Sequence, residues 1–281
     1  MGKNADQIIE RSNTPGIFQS YKILAYTPDK KAVVVDMTEL FLESSRLTNP
    51  FPSYAGNSLY GFVQRIHKFQ SQRSELLGIC GNDNSMSVRC NLGFNVDRLV
   101  LGSFMQAKDV PVSVTVNKIL MLLPEDPMRP RLADSRIGVN AIIQTELPDV
   151  CQGIKTYYIT KRWRIEPVDE IRYKQGEMVD VKKPIVFYID TLMPDSWIKY
   201  VKAGAEAWNA AFEKIGLRNV VRTELFPKDS SFDAGDIHNS VIRYAPSWMY
   251  YPQYSMHTDP CTGEILNASV ARTLEQIWEN M

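Results

Sequence analysis

Three histidines, His67, His238 and His257, are the imidazoles this sequence can offer to a metal or to proton transfer. No two of them stand four residues apart, so no helix can present a pair one turn apart on one face, the spacing a zinc helix uses. His238 and His257 have Asp233, Asp236 and Asp259 nearby in sequence, residue types that together can ligate a metal. They fall in separate loops around a predicted strand, and nothing in the spacing brings them together. The expectation is therefore of solvated or hydrogen-bonded loop side chains and no metal held by this chain. The four cysteines, Cys80, Cys90, Cys151 and Cys261, form no CxxC pair, which argues against a structural zinc site. Cys80 and Cys90 flank a turn-like run, and a one-residue change of register decides whether they face each other across it. Free, partly buried thiols are expected. Lys161, Arg162 and Arg164 surround Trp163 and would suit an acidic ligand. On a strand, however, alternation sends Trp163 and Ile165 inward and the arginines outward. Arg129, Arg131 and Arg136, with Asp134, are expected to pin an interdomain linker through ion pairs. No serine-centred elbow, P-loop or GxGxxG fingerprint occurs, so nucleophilic and nucleotide chemistries have no support.

The elements that must position these residues change character along the chain. Up to about Pro167 the pattern is of short strands, near residues 18–26, 32–37, 60–69, 75–79, 87–94, 98–104, 112–123 and 157–165. A helical turn is predicted over 38–42 and a loop over 46–58. Val112, Val114 and Val116 alternate with Ser113, Thr115 and Asn117, the period of a half-buried strand. Regular strands and turns of this kind suggest an antiparallel sandwich or barrel-like domain. After Pro167, residues 183–190 read as a continuous apolar strand bounded by proline and aspartate. Pro194 and Asp195 open a helix, with Asp195 placed to cap it and to complement its dipole. Trp197, Val201, Ala205, Trp208, Phe212 and Ile215 recur at steps of four and three and are assigned to the core, and Gly216 stops the helix. Strands follow at 220–225, 240–244 and 263–270, with loops at 227–238 and 246–259 and the start of a helix after 271. The predicted class is α+β: an antiparallel β-rich domain over 1–170, then a mixed α/β sheet with one crossover helix over 171–281.

Composition narrows the partners. The 281 residues include 32 basic and 32 acidic side chains, with no basic stripe, which excludes a nucleic-acid surface of the usual kind. No apolar run approaches the roughly 20 residues of a membrane span, and a soluble chain is expected. Residues 1–18 are polar and lack the apolar core of a secretory signal.

Several segments, in order, resemble one family. They are Lys183-Pro184-Ile185-Val186-Phe187-Tyr188-Ile189-Asp190, Glu206-Ala207-Trp208-Asn209-Ala210-Ala211-Phe212-Glu213 and Asp259-Pro260-Cys261-Thr262-Gly263-Glu264-Ile265-Leu266-Asn267-Ala268. The family is the large bacterial zinc-dependent metalloproteases with a metzincin-like catalytic domain. Upstream, Pro127-Met128-Arg129-Pro130-Arg131-Leu132-Ala133-Asp134-Ser135-Arg136-Ile137-Gly138 and Arg162-Trp163-Arg164-Ile165-Glu166-Pro167 look like that family's preceding domain of unknown function. The resemblance covers residues 20–270 or so. It implies that 171–281 is the upper part of the catalytic domain, ending before the helix HExxHxxGxxH. There two histidines would bind zinc and a glutamate would activate the metal-bound water. No HExxH occurs here, so zinc is expected only with the missing segment, and no peptidase activity is expected of this chain alone. The resemblance also implies a substrate-pairing edge strand, for which Gly263, Glu264, Ile265, Leu266 and Ala268 are the candidates, taking a peptide or protein by strand addition. It implies an exported, periplasmic or cell-surface location. The alternative is a non-catalytic peptide- or glycan-binding protein on the same scaffold.

Overall fold

A computed structural model describes residues 11, 17, 19–43, 49–50, 56–58, 61–100, 105–146, 154–228, 232–245 and 253–272. The protein is a β-rich α+β chain that divides into two units, one spanning Thr14–Leu122 and one built on Leu123–Met281.

The first unit opens with a hairpin of β1 (Ile23–Tyr26) and β2 (Val33–Val35). Its turn is closed by Thr27, whose hydroxyl donates to Asp29 at 2.6 Å, with Lys30 in the left-handed region at φ 57°. A short helix α1 (Thr38–Phe41) follows, started by Asp36, which accepts from the Thr38 amide at 2.9 Å. The main sheet is an antiparallel run of β3 (Gly56–Ser58), β4 (Gly61–Gly81), β5 (Ser85–Val100) and β6 (Met105–Met121). Alternation along β5 buries Val88, Cys90, Leu92 and Phe94, and Phe41 of α1 packs on them together with Phe69, Val114 and Val116. The Phe69 and Phe94 rings meet edge to face at 5.6 Å, a geometry worth about 0.5–1.5 kcal/mol beyond burial. Lys118 reaches across to donate to the carbonyls of Leu40, at 3.2 Å, and Glu43, at 2.8 Å, groups that the end of α1 leaves without helical partners.

Two strands expected over 60–69 and 75–79 are one. The register shifts between Gln70 and Glu75, so the polar residues between them form a bulge within β4. Gly93 of β5 makes room for it, since a Cβ there would lie 2.7 Å from Arg73. The register also separates the two cysteines: Cys80 stands opposite Ser87 and Cys90 opposite Leu76. Cys80, Cys90 and Cys261 are free thiols, and Cys151 lies outside the described residues.

The second unit begins with the hairpin of β7 (Ala141–Glu146) and β8 (Lys155–Thr160), the first of which the sequence pattern did not reveal. Asp169 accepts from the Ile171 and Arg172 amides and so caps α2 (Glu170–Lys174). Two short strands, β9 (Val179–Asp180) and β11 (Leu217–Arg218), pair in parallel. The principal sheet is assembled from β10 (Ile185–Ile189), β12 (Val221–Leu225), β13 (Ser240–Tyr244), β14 (Gln253–Thr258) and β15 (Ile265–Arg272). Its order across the sheet is β12-β10-β13-β15-β14, all parallel except β14.

The crossover between β10 and β12 is helical, and the single helix expected over 195–215 is broken. It runs as α3 (Asp195–Glu206) and α4 (Asn209–Glu213). Asp195 sits in the first turn, where its charge complements the dipole, while the cap position is Pro194 and no side chain caps it. The break turns Trp208 outward, 67% exposed, although the 3.6-residue stripe placed it in the core; Ile215 is exposed as well. Phe212 keeps its expected place against Ile185, Val220 and Val221. Trp163 and Ile165 pack on the same cluster, Trp163 edge to face with Phe187 at 6.3 Å. Among the described residues no helix is long and apolar enough to cross a membrane.

Candidate functional site

Within the principal sheet, side chains of the crossover helices seal one border strand. Asn209 donates from Nδ2 to the Val221 carbonyl at 2.8 Å and accepts from the Val221 amide at 2.9 Å. One turn earlier Glu206 accepts from the Thr223 amide at 3.0 Å, and the Thr223 hydroxyl also donates to it. These bonds occupy backbone groups of β12 that a further strand would otherwise use.

The opposite border is β14, residues that the sequence assigned to a loop. Tyr254, Ser255, Met256 and His257 are all exposed, and among the described residues no strand lies beyond it. β14 carries no Lys, Arg, Asp, Glu or Pro. Antiparallel pairing puts Tyr254 opposite Val270 and Met256 opposite Ala268, while β13 puts Ile242 beside Val270. Directly paired residues share a face. A row of apolar side chains thus crosses the sheet from Ile189, fully buried, through half-buried Ile242 and Val270 to Tyr254, 80% exposed.

The turn joining β14 to β15 accounts for the segment Asp259-Pro260-Cys261-Thr262-Gly263. Asp259 is buried and accepts from the Cys261 amide at 2.8 Å and the Thr262 hydroxyl at 2.6 Å. Its role is to hold the turn. Gly263 has φ 75°, and a Cβ on it would meet the Thr160 carbonyl at 2.4 Å. Only glycine suits such a place.

That packing corrects the expected position of the edge. Gly263 and Ile265 exchange backbone bonds with Arg162, whose amide donates to the Gly263 carbonyl at 2.9 Å and whose carbonyl accepts from the Ile265 amide at 2.9 Å. On the other side the Asp259 amide donates to the Glu264 carbonyl at 2.9 Å, and β14 pairs with Ile265, Asn267 and Ala268. Gly263, Glu264, Ile265, Leu266 and Ala268 therefore lie inside the sheet; the open edge is one strand further out. The signal that betrays it is negative: a six-residue strand with no charge and no proline.

The Glu264 side chain lies beside the same bridge. Burial pushes its carboxyl above the ordinary value, against the pull of Arg164 and Lys183. Its Oε2 is buried without a hydrogen-bond partner among the described residues, as is Nε of Arg162. Burial likewise lowers the Arg162 guanidinium, helped by the nearby charge of Arg131. Arg164 instead makes a fork, to Asp126 Oδ2 at 2.8 Å and to Glu166 Oε1 at 2.7 Å, and these bonds hold it above its usual value. The expected linker role of Arg129, Arg131 and Arg136 passes to other residues. Arg136 pairs with Asp134, two residues away, and is exposed. The segment is tied instead by Arg162, donating to the Arg129 carbonyl at 2.6 Å, by Thr160 on the Arg131 carbonyl, and by Arg164.

His238 Nδ1 lies 2.8 Å from Asp236 Oδ1, and His257 stands on exposed β14 opposite Asn267. Among the described residues no three His, Cys, Asp or Glu side chains are gathered as a metal would require.

No curated protein and no solved structure is matched by the chain. Residues 2–168 match a family model described as a domain of unknown function, DUF5117. The matched stretch takes in the meander of β4 to β6 and runs through the β7–β8 hairpin to the Arg162–Arg164 ties. Since it covers more than half of the 281 residues, the chain belongs to the DUF5117 family.

Proposed function

We propose that this chain is the front part of a zinc-dependent metalloendopeptidase and supplies the substrate-positioning part of its catalytic domain. The observation that carries the reading is the sheet β12-β10-β13-β15-β14, whose border β14 is antiparallel, uncharged and open. An extended peptide pairs with such an edge through main-chain hydrogen bonds, which fix the scissile bond at a constant height along the strand. The resemblance of residues 183–190, 206–213 and 259–268 to metzincin-like proteases supplies the reaction class.

A second feature fits the same reading. Around Ile242, Ala268 and Val270 the sheet is half-buried, and towards Tyr254 and Met256 it is exposed. An amphipathic helix laid over that half would complete the layer. The zinc helix of the family would take this place and bring the histidines and the glutamate base. The same open edge also serves the second reading, a non-catalytic peptide binder, which needs no further helix.

The test is to sequence the encoding DNA past codon 281 in all three forward frames and to express any extension that contains HExxHxxGxxH. The protease reading expects that motif within roughly a hundred codons, the distance of a domain's remaining half. It further expects that the extended protein binds one zinc and hydrolyses a quenched fluorescent peptide. Closure of every frame without the motif would leave the binding reading in its place.

A further inference from the structure

We infer that the open side of β14 takes an extended, uncharged peptide segment with an apolar side chain at every second position. This rests on the reading of β14 as the peptide-binding edge and names the class of peptide that fits it. Edge strands are ordinarily protected by charge, proline, bulges or a covering element. At β12 that protection is present, with Arg222 and Glu224 along the strand and Asn209 and Glu206 bonded to its backbone. On β14 the residues are Gln253, Tyr254, Ser255, Met256, His257 and Thr258, and the sole irregularity is a register shift at its end, between His257 and Thr258.

Side-chain alternation then selects the occupant. Tyr254 and Met256 continue the apolar row of Val270 and Ala268, and Ser255 and His257 lie on the other face. A strand added beside β14 would set alternate side chains against Tyr254 and Met256. Apolar or β-branched residues bury well there. A Lys or Glu at the same positions would lose water beside Tyr254 and Met256 and gain no partner from a strand that carries no charge.

The experiment uses the full chain and a fluorescein-labelled octapeptide alternating Thr and Val, read by anisotropy. The comparison peptides carry Glu or Lys in place of each Val, or carry N-methyl groups on alternate amides. The expected result is saturable binding of the Thr-Val peptide, at least about tenfold weaker binding of the charged peptides, and loss of binding on N-methylation of one set of amides. Met256→Lys should weaken the Thr-Val peptide by a similar factor while leaving thermal unfolding unchanged. Equal binding of charged and uncharged peptides would overturn the inference and leave the edge reading standing. No binding by any peptide, or indifference to N-methylation, would overturn both.

Discussion

The two borders of the principal sheet are built in opposite ways. At β12, Asn209 and Glu206 reach down from the crossover helices and take up the backbone groups of Val221 and Thr223. At β14 the strand is flanked, among the described residues, on one side only, by β15, and exposes four consecutive side chains. A protein that seals one edge with two specific side chains has the means to seal the other. The difference is what supports the proposal that a strand from elsewhere adds at β14. It also explains why Glu206 and Asn209 stand where they do: they close an edge.

The largest predicted effect breaks the open edge at its root. Gly263→Ala forces a Cβ towards the Thr160 carbonyl at a backbone conformation that L residues rarely adopt. A loss of about 2–4 kcal/mol is expected, measured by urea unfolding, because both clash and strain act together. A loss under half a kcal/mol would show that the turn does not hold β14 and β15 as described.

Next comes the sealed edge. Asn209→Ala leaves the amide and carbonyl of buried Val221 without their partner. The expected cost is about 1–3 kcal/mol by urea unfolding. Its counterpart at the open edge, Ser255→Lys, should change stability by no more than about 0.5 kcal/mol, as exposed substitutions do. Equal costs at the two edges would remove the contrast.

A smaller effect depends on pH. The Glu264 carboxyl is held above its ordinary value of 4.5, chiefly by burial, so the folded chain keeps this proton at a pH where the unfolded chain has released it. Its contribution to stability is therefore fully present below pH 4.5 and is lost as pH rises through the folded value. Glu264→Gln, which carries no charge, should raise the thermal midpoint at pH 7 and lose that advantage below pH 4.5. A variant less stable than the parent at pH 7 would mean that the ionised carboxylate is paired after all. Asp97 and Asp180, lowered by hydrogen bonds from the Asp109 backbone and from Arg218, run the other way in both proteins and cancel in the comparison.

Much of this arrangement is legible in the residues. Residues 183–190 announce a strand because a continuous apolar run between Pro184 and Asp190 has little else to be, and 220–225 and 240–244 because their β-branched pairs, Val220-Val221 and Val241-Ile242, stand between loop signals. β14 escapes because its alternation of Tyr254, Ser255, Met256 and His257 is only four residues long and follows a proline-bearing run that reads as loop, and its pairing with β15 is set by the turn at Asp259 and Gly263. The edge was consequently expected one strand too early. Trp208 escapes for a local reason. A periodic stripe assumes one unbroken helix, and Trp208 stands in the break between Glu206 and Asn209. The long strand β4 reads as two because its bulge is polar, and bulges leave no signature in hydrophobic pattern.

The contrast between the two edges is tested most directly by hydrogen exchange of the backbone amides, in the free chain and with the Thr-Val octapeptide. The account predicts slow exchange at Val221 and Thr223 throughout. It predicts fast exchange at alternate amides of β14 in the free chain and protection of those same amides once peptide is added. Protected β14 amides in the free chain, or fast exchange that the peptide leaves unchanged, would contradict it.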